Sequence, residues 1–182
     1  MNIAVGLVEL TSIARGILVA DSMLKAAQVE ILDAKPTCPG KYIIVMTGEV
    51  AAVTSAVETG VELGEGFVVE HFILPNVHPD VIRAMNGGSE INDIGALGVI
   101  ESFSIAALIT AADAAVKAAK VELIEIRNGL GIGGKSYVTL TGDVASVQAS
   151  VDVGASLINE CGMLLEKTVI PSPHPQLKPA LF

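Results

Sequence analysis

The sequence predicts an α+β protein built from two tandem copies of one β-α-β-β-α-β unit, the ferredoxin-like arrangement. Three observations predict it. The chain is written twice, strand and helix patterns alternate in the same order in both copies, and a polar Gly-rich stretch lies where the copies meet. The first copy opens at Ala4 with "AVGLVELTSIARGILVADSMLKAAQVEILDAK" and the second at Ala96 with "ALGVIESFSIAALITAADAAVKAAKVELIEIR". At a constant offset, 14 of these 32 positions are identical, among them Gly6/Gly98, Glu9/Glu101, Ser12/Ser104, Asp21/Asp113, Lys25/Lys117 and Glu30/Glu122. The match resumes with "GKYIIVMTGEVAAV" from Gly40 against "GKSYVTLTGDVASV" from Gly134. It closes on "ILPNVHP" and "VIPSPHP", ending at Pro79 and Pro175. The expected domains are residues 1–86 and 94–182, joined by the linker 87–93.

The elements follow in order. Ala4 to Leu10 is apolar and reads as a strand. Ser12 is an N-cap for a helix running to about Ala27, with Asp21 and Lys25 one turn apart in the favourable acid-first order. Val29 to Ala34 and Lys41 to Thr47 are the next two strands. Glu49 to Leu63 is a helix with Val50, Val53, Ala56, Val57 and Val61 on one face. Phe67 to Leu74 is the last strand. Two helices then cover one face of an antiparallel sheet.

Composition bounds the function. Hydrophobic residues make up 51% of the 182, yet aromatics are only 3% and Trp is absent. Such a core is made of small and branched side chains, with few platforms for stacking bases. A net charge of −9 with 11 Lys+Arg excludes the basic footprint of a non-specific nucleic-acid binder. The richest apolar stretch, Phe103 to Val116, is broken by Asp113, and no run reaches the roughly 18 residues of a membrane span. The start, "MNIAVGLVEL", lacks the pattern of a signal peptide, so a cytoplasmic location is expected. This much apolar surface in a soluble chain implies burial between subunits.

The segment "NGLGIGGKSY" from Asn128 fits two nucleotide-binding patterns, Gly129-x-x-x-x-Gly134-Lys135-Ser136 and Gly129-x-Gly131-x-x-Gly134. Both patterns require a strand before the loop and a helix after it. The "SYVTLTG" that follows is β-branched and aligns with a strand of the first copy. A strand–loop–strand hairpin is therefore expected, and a nucleotide-binding enzyme using Lys135 and Ser136 is the remote alternative. No Ser/His/Asp arrangement appears at interpretable spacing. His78 and His174 recur at equivalent places through duplication, and His71 has no visible partner. Glu9 and Glu101 recur in the same way. The two cysteines, Cys38 and Cys161, are too far apart in sequence to suggest a disulfide framework, and Cys161 reads as a packing residue.

"VGLVELTSIARGILVADSMLKAAQVEIL" with "CPGKYIIVMTGEVAAV", and "LGVIESFSIAALITAADAAVKAAKVELIEI" in the second copy, resemble the bacterial microcompartment shell domain. The tandem order resembles the trimeric shell proteins, in which three chains supply six domains to a pseudo-hexameric tile. That resemblance implies a homotrimer, other shell proteins as partners, encapsulated redox enzymes as further partners, no nucleic acid, no membrane, and no catalysis. It places the loops Lys35 to Lys41 and Arg127 to Lys135 at the central pore, lined by Pro36, Thr37, Cys38, Pro39, Gly131, Ile132, Gly133 and Gly134. It places Lys25 and Lys117 at the tile edge.

"KPTCPGKY", "GIGGKSY" and "VIPSPH" are most similar to the iron–sulfur tandem shell proteins of propanediol-utilisation compartments. This implies that Cys38 from each of three chains holds one shared [4Fe–4S] cluster on the three-fold axis, for electron transfer or cluster delivery across the shell. Cluster iron is held by thiolates, and a closed three-fold ring brings three copies of one loop together. The alternative keeps the tile without the cluster, its pore a small-metabolite conduit lined by Thr37, Cys38, Gly131, Gly133 and Gly134.

Overall fold

The computed structural model describes residues 3–87, 91, 93–129 and 131–180, the side chains of 178–180 excepted. Most of the expected linker lies outside these residues. The first copy runs β1 (Ile3–Leu10), α1 (Ile13–Ala26), β2 (Glu30–Thr37), β3 (Lys41–Glu49), α2 (Val50–Gly64) and β4 (Val68–Leu74). A short helix, α3 (Pro79–Met85), follows. The second copy repeats the order as β5 (Ala96–Ser102), α4 (Ile105–Ala118), β6 (Val121–Asn128), β7 (Ser136–Gly142), α5 (Val144–Glu160) and β8 (Leu164–Ile170). A 3₁₀ turn, Pro175–Ala180, ends the description.

Each copy forms one antiparallel four-stranded sheet, ordered β2-β3-β1-β4 and β6-β7-β5-β8. This is the ferredoxin-like order that the repeat predicts. Side chains alternate across a strand, so Ala4, Val8 and Leu10 of β1 face the helices, where they pack with Val19, Met23, Ile44, Met46, Val53 and Val57 in one buried cluster.

The helices begin where the sequence says they should. Ser12 accepts a hydrogen bond from the Arg15 amide, and Ser104 accepts one from the Ala107 amide. Asp143 caps α5 by accepting from the Ser146 amide and hydroxyl. Those hydrogen bonds hold the Asp143 carboxyl below its ordinary range. Lys167 and Gln148 do the same for Asp152, and the Lys167 ammonium at 2.5 Å ties β8 to α5.

Two features depart from the expected elements. β2 continues through Pro36 to Thr37, which shortens the loop at Cys38. Pro lacks an N–H, but β2 is an edge strand, where one N–H side needs no partner. The segment after Pro79 is helical: the His78 ring accepts from the Asp80 amide, Pro79 occupies the first turn, and Arg83 pairs with Asp80 at 2.8 Å.

By contact, the chain divides into two compact units. One holds the chain up to Val77 together with residues 131–134; the other begins at His78 and holds the rest. Helix α3 thus packs with the second unit, against β6 and α4. No helix among the described residues is long and apolar enough to cross a membrane.

Helix and sheet approach closely where β1 and β5 carry glycine. A Cβ on Gly6 would stand 2.6 Å from Val57 Cγ2 and 2.7 Å from Val53 Cγ1, and one on Gly98 would stand 2.6 Å from Val151 Cγ2. Branched valines on a packed helix have no room to yield. Gly6→Ala and Gly98→Ala are each expected to destabilise the fold by about 1–3 kcal/mol through overpacking. Chemical denaturation of the single variants, read as a lowered midpoint at unchanged slope, checks this.

Candidate functional site

The residues expected to line a pore collect on two hairpin ends. β2 and β3 pair down to Thr37 opposite Lys41, leaving Cys38, Pro39 and Gly40 as the turn. The Gly40 amide donates to the Thr37 carbonyl at 2.9 Å, and Gly40 takes a φ of 87°, which a side chain would resist. Pro36, Pro39 and Gly40 are exposed and Cys38 is half-buried. Thr37 is buried, and its hydroxyl has no hydrogen-bond partner among the described residues.

The second hairpin end is longer. β6 and β7 pair down to Asn128 opposite Ser136, and the Gly129 amide donates to the Lys135 carbonyl at 3.0 Å to close the loop. Gly131, Gly133 and Gly134 all have positive φ. A Cβ on Gly131 or Gly133 would meet nothing within 4 Å, whereas one on Gly134 would stand 2.7 Å from the Cys38 carbonyl oxygen. Residues 131–134 belong to the same compact unit as the Cys38 turn. The two sets of expected pore-lining residues therefore meet, with the Gly134 backbone pressed on that of Cys38 and Gly131 and Gly133 beside open space. Ile132 is half-buried between those two glycines.

This geometry excludes phosphate binding of the P-loop kind. A strand and not a helix follows the loop. Lys135 is held by Glu101 at 2.8 Å. Ser136 is buried, its hydroxyl donating to the Ser104 carbonyl at 3.2 Å.

The expected [4Fe–4S] cluster is overturned. Among the described residues no group of three or more His, Cys, Asp or Glu side chains is placed to hold a metal ion. Cys38 and Cys161 are both free, and around Cys38 the turn offers proline, threonine and glycine, none of them a second ligand. One thiolate on a tight turn makes no cluster site, and Cys38 is a turn residue. Cys161 is corrected too: it is exposed at the C-cap of α5, not packed.

Sequence reasoning left Glu9 and Glu101 unassigned. The structure gives each a lysine partner at the start of the adjacent strand: Lys41 Nζ lies 3.1 Å from Glu9 Oε1, and Lys135 Nζ 2.8 Å from Glu101 Oε1. Glu9 is buried to 7% exposure, on the sheet face away from α1 and α2. The signal was present as the joint recurrence of Glu-x-x-Ser and Gly-Lys in both copies. Further along the second hairpin, Glu125 accepts from Arg127 Nε at 2.7 Å and from the Tyr137 hydroxyl at 3.2 Å. Burial, then the Glu125 charge, pushes the Tyr137 hydroxyl above its ordinary pKa, and hydrogen bonding to Glu125 does the same for Arg127.

The remaining candidates lie elsewhere. Lys25 and Lys117 each reach back one turn to Asp21 and Asp113 at 2.6 Å. His78 caps α3, His174 opens the final turn, and His71 is exposed on β4. None joins a catalytic constellation.

The Glu9–Lys41 pair is half a counter-ion arrangement when either member is removed. Lys41→Met is expected to cost about 1–3 kcal/mol, less than breaking a fully buried pair, because Lys41 stays partly hydrated. The double variant Glu9→Gln/Lys41→Met should recover part of that loss. Urea denaturation of the full double-mutant cycle checks both.

Comparison with known proteins bears on both hairpins. The model of the BMC domain matches twice, over residues 4–77 and 96–173. The bacterial microcompartment shell protein PduT of Citrobacter freundii is 42% identical over 174 residues, covering 96% of this chain and 95% of that one. The shell protein EutM of Salmonella typhimurium is 43% identical over 83 residues, 46% of this chain but 84% of its own length. A crystal structure of a microcompartment protein from Desulfitobacterium hafniense DCB superposes with a TM-score of 0.96 at 58% identity, covering 98% of this chain and 99% of that one.

Proposed function

The chain belongs to the BMC domain family and carries that domain twice, and from this premise we propose that it is a structural tile of a bacterial microcompartment shell whose central aperture passes small metabolites. Three chains supply six domains to a closed pseudo-hexameric ring, with the Cys38 turn and the glycine loop alternating about the axis. The ring sits in the compartment wall beside other shell proteins. It positions and passes molecules and turns none over.

The observation that carries the pore reading is the meeting of the two hairpin ends. Gly134 lies against the Cys38 carbonyl, while Gly131 and Gly133 have no neighbours a Cβ would touch. Such a rim is small, neutral and lined by backbone. The nearest cations, Lys41 and Lys135, are matched by Glu9 and Glu101 at the roots of the loops. A rim of this kind offers polar backbone groups to small uncharged or weakly charged solutes and imposes no strong charge selection. Lys25, with its side chain 74% exposed, and Lys117 serve at the tile edge, where neighbouring tiles meet.

Sedimentation and native mass spectrometry of the purified chain at micromolar concentration test the ring. A trimer is expected, and a monomer would sink the reading. Electron microscopy of concentrated protein separates ring from wall: wild type is expected to form sheets, and Lys25→Ala/Lys117→Ala to remain trimeric while forming none.

A further inference from the structure

The two copies share a sequence pattern but not their cover. Ile17 on α1 is 56% exposed, while its counterpart Ile109 on α4 is fully buried. Ile13 and Leu24 are likewise exposed where Ile105 and Val116 are buried. On the edge strands, Ile31 of β2 is 40% exposed and Leu123 of β6 is fully buried. Asp21 is open to solvent, whereas Asp113 is enclosed. A stripe of isoleucine and leucine along one helix and its neighbouring strand is costly to leave in water.

Helix α3 contributes cover on the second copy. It packs on α4 and β6, its Val81 and Ala84 are buried, and the His78 amide donates to Asp113 Oδ1 at 2.7 Å. In sequence, α3 follows the first copy, not the second. The segment that follows the second copy in the same way begins at His174, and its local structure is already the same. The His174 ring accepts from the Gln176 amide at 3.2 Å, as the His78 ring does from the Asp80 amide. The Leu177 amide donates to the His174 carbonyl, as the Val81 amide does to the His78 carbonyl. Pro175 stands where Pro79 stands, and Leu177, exposed, where Val81 is buried.

We propose that the turn beginning at His174 docks on α1 and β2 of a second copy of this chain. Leu177 enters the stripe of Ile13, Ile17, Leu24 and Ile31, and the His174 amide donates to Asp21. The docking repeats between chains what His78 to Met85 does within one. Such an interface is head-to-tail, since the patch that docks differs from the patch that receives it. Three repeats of it close a ring that contains six domains. The inference rests on the ring of the preceding section and names the surfaces that close it.

Disulfide trapping tests it. Ile17→Cys and Leu177→Cys are combined with Cys38→Ser and Cys161→Ser, the protein is oxidised, and products are resolved without and with reductant. Covalent dimers and trimers are expected, reverting on reduction, with none from the matched Val69→Cys/Leu177→Cys protein, whose cysteine lies on β4. In the otherwise natural chain, Leu177→Asp places a charge in the apolar stripe. It is expected to raise the concentration at which the trimer half-dissociates at least about tenfold. Leu177 is a surface residue of its own chain, so the substitution leaves the fold intact. A trimer that persists with no interchain disulfide and unchanged dissociation in Leu177→Asp would overturn the docking and leave the ring standing. A disulfide formed within one chain would overturn it equally. A natural chain that is monomeric throughout would remove the ring and the docking together.

Discussion

The structure depends on close approach between helices and sheet in a chain with almost no aromatic residues. With large side chains scarce, packing density must come from short distances. Gly6 and Gly98 let α2 and α5 descend onto the central strands, and their valines occupy the space a Cβ would take. Gly60 and Gly154 do the same between the helices of each pair: a Cβ on Gly60 would meet Met23 Sδ of α1 at 2.7 Å, and one on Gly154 would meet the Ala111 carbonyl oxygen of α4 at 3.0 Å. Glycine at mid-helix lowers helix propensity. Its presence in both second helices indicates that packing outweighs propensity there.

Because those contacts recur in both copies, the copies share a core and differ at their margins. The Glu-Lys pair at the root of each hairpin is another recurring feature. It fixes the strand that leaves the loop while the loop itself varies. A three-residue turn sits at one root and a longer glycine loop at the other. Duplication within one chain makes that difference possible, because a ring of single-domain subunits would carry the same loop at every position.

Much of this was legible in the sequence because it is local or repeated. Ser12 and Ser104 announce their helices, the β-branched run after Ser136 rules out a helix behind the glycine loop, and the duplication gives the register of one copy from the other. Helix α3 was missed because seven residues are too few for an apolar period to show, although His78, Pro79 and Asp80 spell an N-terminus. The extension of β2 through Pro36 was hidden because only the edge position of that strand makes a proline tolerable there. The cluster at Cys38 failed for a different reason. A likeness in "KPTCPGKY" carries the residue across, but a ligand set is a matter of which groups converge, and the turn brings no second ligand to the thiol.

The same asymmetry sets how the proposed ring comes apart. Each chain carries its first copy's trailing segment by covalent connection to the unit it covers, so that contact forms at a high effective concentration set by a short tether. The trailing segment of the second copy has no such tether, and its contact forms only at the concentration of free chains. The tethered and untethered contacts begin with the same His-Pro turn, one closing with Val81 and the other with Leu177. The untethered ones are therefore the weak joints of the ring. On the proposed docking, stability of the ring is set at the stripe on α1 and β2, and variation in the two hairpin loops leaves assembly unchanged so long as that stripe is covered.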